Sequence, residues 1–172
     1  MSKQTWMGAV EESPLGRIWT AVSANGLVAV SLWDNQERFA EEVARLTGRP
    51  PEYKAEMVTA VTDQIRQYLH KERTNFGLAI DWSVMTPFQT TALHVVHGIE
   101  YGRTLTYRDV AQQISQPKAV RAVGRANATN PMPLVIPCHR VLGSDGKLHG
   151  FSAPGGLETK AWLLHLEGSW LI

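Results

Sequence analysis

Thr106-Tyr107-Arg108-Asp109-Val110-Ala111-Gln112-Gln113-Ile114-Ser115-Gln116-Pro117-Lys118-Ala119-Val120-Arg121-Ala122-Val123-Gly124-Arg125-Ala126-Asn127-Ala128 is the stretch on which the fold turns. A threonine hydroxyl followed three residues later by a carboxylate satisfies two free N–H groups at a helix start, so Thr106 and Asp109 predict a helix running through Ser115. Gln116-Pro117 predicts a second start, because proline suits a first helical turn, and this helix is expected to reach about Ala128. Two short helices with a tight connection are the helix-turn-helix pattern. The second helix is nearly bare: Ala119, Ala122, Gly124, Ala126 and Ala128 leave Arg121 and Arg125 to project from it. Major-groove reading uses longer polar side chains on base edges. A smooth helix with an arginine suits close approach to a narrow minor groove and entry into the base stack. The same smoothness also suits a helix packed inside the fold.

Working outward, Thr86-Pro87-Phe88-Gln89 is another helix start, with Phe88, Ala92, Val95, Val96 and Ile99 as its apolar stripe and Gly102 as its stop. Downstream, Pro131 and Pro133 force an irregular loop, and Asp145-Gly146 predicts the tip of a hairpin, the shape of a wing. Gly155-Gly156 precedes a last helix, Leu157–Leu166. Residues 1–83 read differently. Gln4–Val10, Arg17–Ser23 and Leu27–Trp33 are apolar, β-branched runs separated by the turn signals Ser13-Pro14-Leu15-Gly16 and Asn25-Gly26. Asp34 with Glu37 predicts a helix carrying Phe39, Val43 and Leu46 and stopped at Gly48-Arg49-Pro50. A second helix is expected over about Ala55–His70, then a short strand near Phe76–Ile80. Trp6, Trp19 and Trp33 fall on strands and are expected in the core. The fold class is therefore α/β (α+β). A small N-terminal α/β domain with an antiparallel sheet (1–83) precedes a C-terminal winged helix-turn-helix domain (84–172).

Composition bounds the rest. Hydrophobic residues make up 44% and charged residues 19% of 172, ordinary for a globular chain. No apolar run approaches the ~20 residues that span a bilayer, and Met1 to Trp6 lack a secretory pattern, so no membrane partner and a cytoplasmic location are expected. One cysteine excludes an intrachain disulfide and a cysteine-rich zinc site. No metal or cofactor is expected. The net charge of +1 hides an asymmetry: nine Lys and Arg against eleven Asp and Glu in 1–83, but eight against five in 84–172. Between 101 and 140, Arg103, Arg108, Lys118, Arg121, Arg125 and Arg140 face Asp109 alone. That excess suits a polyanion, or is a solvated basic face.

Ile136-Pro137-Cys138-His139-Arg140-Val141 carries the chemistry. A lone cysteine is either a small buried hydrophobe or a reactive thiol, and the thiol is a weak nucleophile until it ionises. A neighbouring histidine can take its proton. Adjacent residues of a strand point to opposite faces, so Cys138 and His139 need a bend or a bridging water to communicate, and Pro137 makes a non-strand geometry plausible. Glu167 ends the last helix, where a carboxylate opposes the helix dipole by roughly 0.3–1 kcal/mol. Holding His139 in one tautomer would offset that cost, whereas a frayed, exposed glutamate is the bland alternative.

Pro137-Cys138-His139-Arg140-Val141 resembles the active-site signature of the O6-alkylguanine-DNA alkyltransferases, the methylated-DNA–protein-cysteine methyltransferases. Asn130-Pro131-Met132-Pro133-Leu134-Val135-Ile136 is similar to that family's lead-in, and Gly155-Gly156-Leu157 through Lys160-Ala161-Trp162-Leu163-Leu164 and Glu167-Gly168 to its closing segment. The resemblance covers about Thr86–Gly168; residues 1–83 fit the smaller domain loosely. It implies that Cys138 accepts the alkyl group in one irreversible turnover, activated by His139 through a water and by Glu167. Tyr107 would give a proton to the leaving guanine. Arg121 would replace the flipped nucleotide, with Arg125, Ala122 and Thr106 alongside it against DNA. Val141 and Ser152 would read the guanine edge through their backbones, Phe151 would line the pocket with Arg140, and Asn130 would order the bend before the cysteine. Flipping follows independently, because a thiol cannot reach a base substituent inside a duplex. The implied partner is double-stranded DNA containing O6-alkylguanine, bound by a monomer, with O4-alkylthymine left open. The run His149-Gly150-Phe151-Ser152-Ala153-Pro154-Gly155-Gly156 is longer than in some members, which leaves the pocket wall unplaced. Members with a zinc site use N-terminal cysteines, and residues 1–83 hold none, so no structural zinc is expected. From the residues alone, a damage-binding module without chemistry and a turnover hydrolase with a Cys-His-Glu triad remain open.

Overall fold

Three apolar runs near the N-terminus pair antiparallel in the computed structural model, which describes residues 4–169; the leading residues Met1 to Lys3, read above for a targeting pattern, lie outside them. The chain divides at Met85/Thr86 into two units, two residues beyond the boundary expected from composition. In the first unit, β1 (Thr5–Val10), β2 (Ile18–Ser23) and β3 (Gly26–Ser31) are followed by α1 (Gln36–Thr47), β4 (Glu52–Tyr53), a 3-10 turn (Ala55–Val58) and α2 (Thr59–Leu69). The sheet order is β3-β2-β1-β4, with β4 parallel to β1, so the sheet is mixed rather than wholly antiparallel. Met7, Trp19, Ala21, Val28, Ala29, Phe39 and Val43 form one core cluster, because α1 lays its apolar stripe on one sheet face.

Several local expectations shift. Asn35, not Asp34, caps α1, accepting from the Arg38 N–H at 3.0 Å. Asp34 is drawn instead to the Trp19 indole N–H at 3.3 Å and to the Arg17 guanidinium. Gly48 ends α1 in the left-handed region, φ 86°. Trp33 lies beyond the end of β3 and is 47% exposed, whereas Trp19 on β2 is in the core as expected. The strand expected near Phe76–Ile80 is a single parallel bridge from Ile80 to Leu27, flanked by Leu27 N–H to the Ala79 carbonyl and Asp81 N–H to the Leu27 carbonyl, both 2.9 Å. Gly77 and the shortage of β-branched residues there leave too little to support a ladder.

The second unit runs α3 (Pro87–His97), β5 (Leu105–Thr106), α4 (Tyr107–Gln113), α5 (Val120–Ala128), a 3-10 turn (Cys138–Arg140), β6 (Val141–Leu142) and α6 (Leu157–Leu166). Thr86 caps α3 by accepting from the Gln89 N–H, while the Gln89 side chain turns to Thr129. This helix ends at Gly98, before the expected stop at Gly102. The reciprocal cap of α4 forms as read: Asp109 N–H to Thr106 Oγ1 at 3.0 Å and Thr106 N–H to Asp109 Oδ2 at 2.8 Å. Ser115 adopts φ 59° and the Gln116 N–H closes back on the Ala111 carbonyl, so α4 ends early. Pro117 then sits in the turn, and α5 begins three residues later, at Val120. The wing is a tight loop: β6 pairs in parallel with β5, and past it Gly143 N–H reaches the Lys147 carbonyl at 3.0 Å without a returning strand.

Gly26 shows a backbone constraint that no side chain can meet. Its φ is +129°, and an added Cβ would lie 2.5 Å from the Ala79 carbonyl oxygen, which is backbone. Gly26→Ala should destabilise by about 3 kcal/mol in urea unfolding, through a strained dihedral and a displaced loop. Gly16→Ala, with φ +83° and nothing near its Cβ, should cost about 1–2 kcal/mol for the dihedral alone.

Candidate active site

The backbone before the thiol is tied down by two asparagine side chains. Asn130 donates from Nδ2 to the Ile136 carbonyl at 2.8 Å and accepts at Oδ1 from the Met132 N–H at 3.0 Å. Asn127, on the buried side of α5, donates to the Cys138 carbonyl at 3.1 Å. Leu134 takes a left-handed φ of 73° on the way. Pro137 then leads into the 3-10 turn of Cys138–Arg140, with the Arg140 N–H on the Pro137 carbonyl at 2.9 Å. That turn supplies the bend required by adjacency. Successive side chains on a 3-10 helix diverge by about 120° rather than pointing to opposite faces.

His139 points away from solvent onto Glu167, Nε2 to Oε1 at 2.8 Å. Arg140 takes the same carboxylate in a two-pronged grip, Nε to Oε2 at 2.9 Å and Nη2 to Oε1 at 2.8 Å, and its Nη1 donates to the Ile99 carbonyl. Its guanidinium also lies 5.7 Å from the Tyr101 ring centre. Burial pushes the Glu167 carboxyl up, but the hydrogen bonds and charges of His139 and Arg140 together outweigh it and hold it at about 2. Glu167 is therefore ionised at neutral pH and can only accept, so Nε2 of His139 carries the proton and Nδ1 carries the lone pair. Burial holds His139 below its ordinary value despite Glu167, so the imidazole is neutral and able to take a proton. The cost of a carboxylate at a helix C-terminus is met by two partners, not one.

Cys138 is 5% exposed, and burial pushes its thiol up, while Asn130 and the Lys160 charge favour the thiolate. Tyr107 opens α4, half-buried, with its hydroxyl donating to the His149 carbonyl at 3.3 Å. Burial raises its phenol, partly offset by a hydrogen bond with Asn127, so it is a protonated donor at neutral pH. The chain thus brings Tyr107, Asn127, Asn130, Cys138, His139, Arg140 and Glu167 into one region of the second unit. Arg140 is corrected from a pocket-lining residue to the support of Glu167. Thr106 is first of all a helix cap. Arg121 and Arg125 are exposed on α5 and Ala122 is half-buried. Phe151 is half-buried and Ser152 exposed, while the Val141 carbonyl already accepts from Lys160 Nζ at 2.7 Å. Asn127 and Lys160 escaped the sequence reading. Lys160 had a visible signal: it precedes Leu163 and Leu164 by three and four residues, on the stripe α6 buries. Among the described residues no cluster of three His, Cys, Asp or Glu side chains could hold a metal ion.

Fold and site define a class: a helix pair of DNA-binding type beside a buried thiol with a neutral histidine and a charged carboxylate behind it. Comparison with known proteins agrees. The model of the 6-O-methylguanine DNA methyltransferase DNA-binding domain matches residues 87–169, and that of the same family's ribonuclease-like domain matches residues 8–82. The methylated-DNA–protein-cysteine methyltransferase of Methanosarcina acetivorans is 37% identical over 173 residues, covering 94% of this chain and 97% of its own. The solved Mycobacterium tuberculosis O6-methylguanine methyltransferase superposes with a TM-score of 0.75 at 31% identity, over 98% of this chain and 94% of that one. The structure of the OGT of that organism in complex with DNA gives 0.76 at 33%, over 96% and 93%. The chain belongs to the 6-O-methylguanine DNA methyltransferase family.

The Glu167 grip has a signature in acid. Its folded value of about 2 lies below the unfolded glutamate value of about 4.3, so its stabilisation is full above about pH 4.3 and is lost as pH falls through about 2. Urea titrations across that window should show wild-type stability falling by roughly 3 kcal/mol. Glu167→Gln should be less stable at neutral pH and should flatten that fall; an unchanged acid slope would mean the carboxylate is not held as described.

Proposed function

We propose that this protein repairs alkylated double-stranded DNA by moving the alkyl group from O6 of a flipped guanine to Sγ of Cys138, once per molecule. The buried His139–Glu167 pair, on the residue that follows the thiol in the same 3-10 turn, is the observation that carries this reading. The neutral Nδ1 of His139 takes the thiol proton through a water molecule, and Glu167 stabilises the imidazolium that forms. The thiolate attacks the alkyl carbon. A C–S bond forms, the C–O bond breaks, and its electron pair stays on guanine O6. Tyr107, kept protonated by burial, gives its proton to the departing base. The thioether does not turn over, so the protein is consumed.

The basic, bare α5 suits DNA approached through the minor groove, with Arg121 entering the stack in place of the extruded nucleotide. Acceptor, base and carboxylate all come from one chain, which supports action as a monomer.

A duplex carrying O6-methyl-labelled guanine should transfer one label per protein, mapped to Cys138 by peptide mass analysis, and none to Cys138→Ala. Label left on DNA, or release of methanol with repeated turnover, would contradict the reading. Tyr107→Phe should slow transfer by 10²–10⁴-fold, the range of a positioned proton donor, while leaving the amount bound at saturation unchanged.

A further inference from the structure

The short connection after α3 makes contacts that the mechanism above does not use. The Ile99 carbonyl accepts from Arg140 Nη1, and the Arg140 guanidinium lies over the Tyr101 ring, 5.7 Å from its centre. The Tyr101 hydroxyl donates to the Leu166 carbonyl at 3.3 Å. That carbonyl is among the last four of α6, which lack a partner within the helix. Gly102 follows at φ +79°, where an added Cβ would lie 3.3 Å from the Glu167 carbonyl oxygen. Residues 99–102 thus reach both members of the Arg140–Glu167 pair. Tyr101, half-buried, is the one side chain among them that touches Arg140 and the end of α6 together.

We propose that Tyr101 is a positioning residue for alkyl transfer: its ring covers the Arg140 guanidinium and its hydroxyl ties down the end of α6, so that Glu167 stays on His139 and water stays off the ion pair. This rests on the alkyl-transfer reading. The guanidinium is planar, and its Nε, Nη1 and Nη2 hydrogens are spent on Glu167 and Ile99. Hydrogen bonds at its edge leave its face uncovered, and the negative face of an aromatic ring within about 6 Å attracts a cation, more strongly where water is excluded. Leucine would fill part of that space without the ring or the hydroxyl. Phenylalanine would keep the ring.

The electrostatics give the hold a readout. Burial is the largest cause that keeps His139 below its ordinary value; Glu167 opposes it, and the Arg140 and Lys160 charges add to it. Water admitted beside Arg140 weakens both the burial and the Arg140 contribution, so His139 moves up. The other titratable groups facing this set are His94 and His97 on α3, Cys138 in the 3-10 turn and Tyr101 itself. Burial, with His94 and Arg140, pushes His97 down, whereas burial and Glu167 push the Tyr101 phenol up and keep it a donor.

The test titrates the His139 ring by ¹⁵N spectroscopy in the full chain and follows methyl transfer from an O6-methylguanine duplex across the same pH range. Transfer needs a neutral His139, so its rate rises as pH climbs through the His139 value. Tyr101→Leu should raise that value by about one unit and carry the acid limb of transfer with it, about tenfold slower at a given pH on that limb. Tyr101→Phe should keep most of the wild-type profile. A folded Tyr101→Leu protein that titrates like wild type overturns the proposal, and so does a Tyr101→Phe shift as large as that of Tyr101→Leu. Should Tyr101→Leu not fold, pentafluorophenylalanine at position 101 decides, because it keeps the shape of phenylalanine and reverses the charge of the ring face. A shift relative to Tyr101→Phe then supports the proposal, and no shift overturns it. The ring titration needs no DNA. A wild type that moves no methyl therefore rejects the alkyl-transfer reading, and the titration alone then decides whether Tyr101 holds the carboxylate pair.

Discussion

A single buried carboxylate organises the second unit. Glu167 closes α6 where the helix dipole disfavours it, and it is held there by two charge-assisted bonds from Arg140 and one from His139. Removing one member of such a buried set leaves an uncompensated charge, which costs far more than the set contributes when whole. The consequence is geometric as well as energetic. Because the carboxylate can only accept, it dictates which imidazole nitrogen bears the proton. Burial, helped by the Arg140 charge on the same carboxylate, keeps His139 neutral against the pull of Glu167. The histidine beside Cys138 is thereby kept as a base.

The rest of the unit serves the placement of that base and its thiol. The 3-10 turn of Cys138–Arg140 lets neighbouring residues face different partners: Cys138 toward Asn130, His139 and Arg140 toward Glu167. Asn127 connects the other direction, since it lies on the buried face of α5 and bonds the Cys138 carbonyl, while Arg121 and Arg125 occupy the exposed face of the same helix. The nine-residue helix that exposes Arg121 and Arg125 thus also braces the backbone of the cysteine.

Much of the architecture was legible because it obeys local rules. The cap at Thr86, the reciprocal cap of Thr106 and Asp109, the left-handed Gly48 and the whole span of α6 follow from hydrogen bonds between near neighbours. Errors arose where a distant partner competed. Asp34 lost the cap of α1 to Asn35 because Trp19 and Arg17 claim its carboxylate. Gln116-Pro117 looked like a helix start, but the Gln116 N–H is used to close α4. Asp145-Gly146 did mark a turn, yet Gly143 and Gly150 flank it with nothing to sustain a ladder. Cys138, His139 and Glu167 were singled out from residue chemistry and position, with their roles supplied by the resemblance, but the pairing of Arg140 with Glu167, 27 residues away, could not be read from spacing. Lys160 lay within a matched segment at the spacing of the buried Leu163 and Leu164, but a buried lysine breaks the residue-type pattern by which apolar faces are recognised.

The central claim is that the ionised Glu167 fixes the proton of His139 on Nε2 while burial keeps the ring neutral. Two-bond ¹H–¹⁵N correlation spectra of histidine-labelled protein at neutral pH read this directly. The account predicts that His139 shows a protonated Nε2 and an unprotonated Nδ1, and that this pattern is lost in Glu167→Gln. A doubly protonated ring, or a proton on Nδ1 in the wild type, would contradict it.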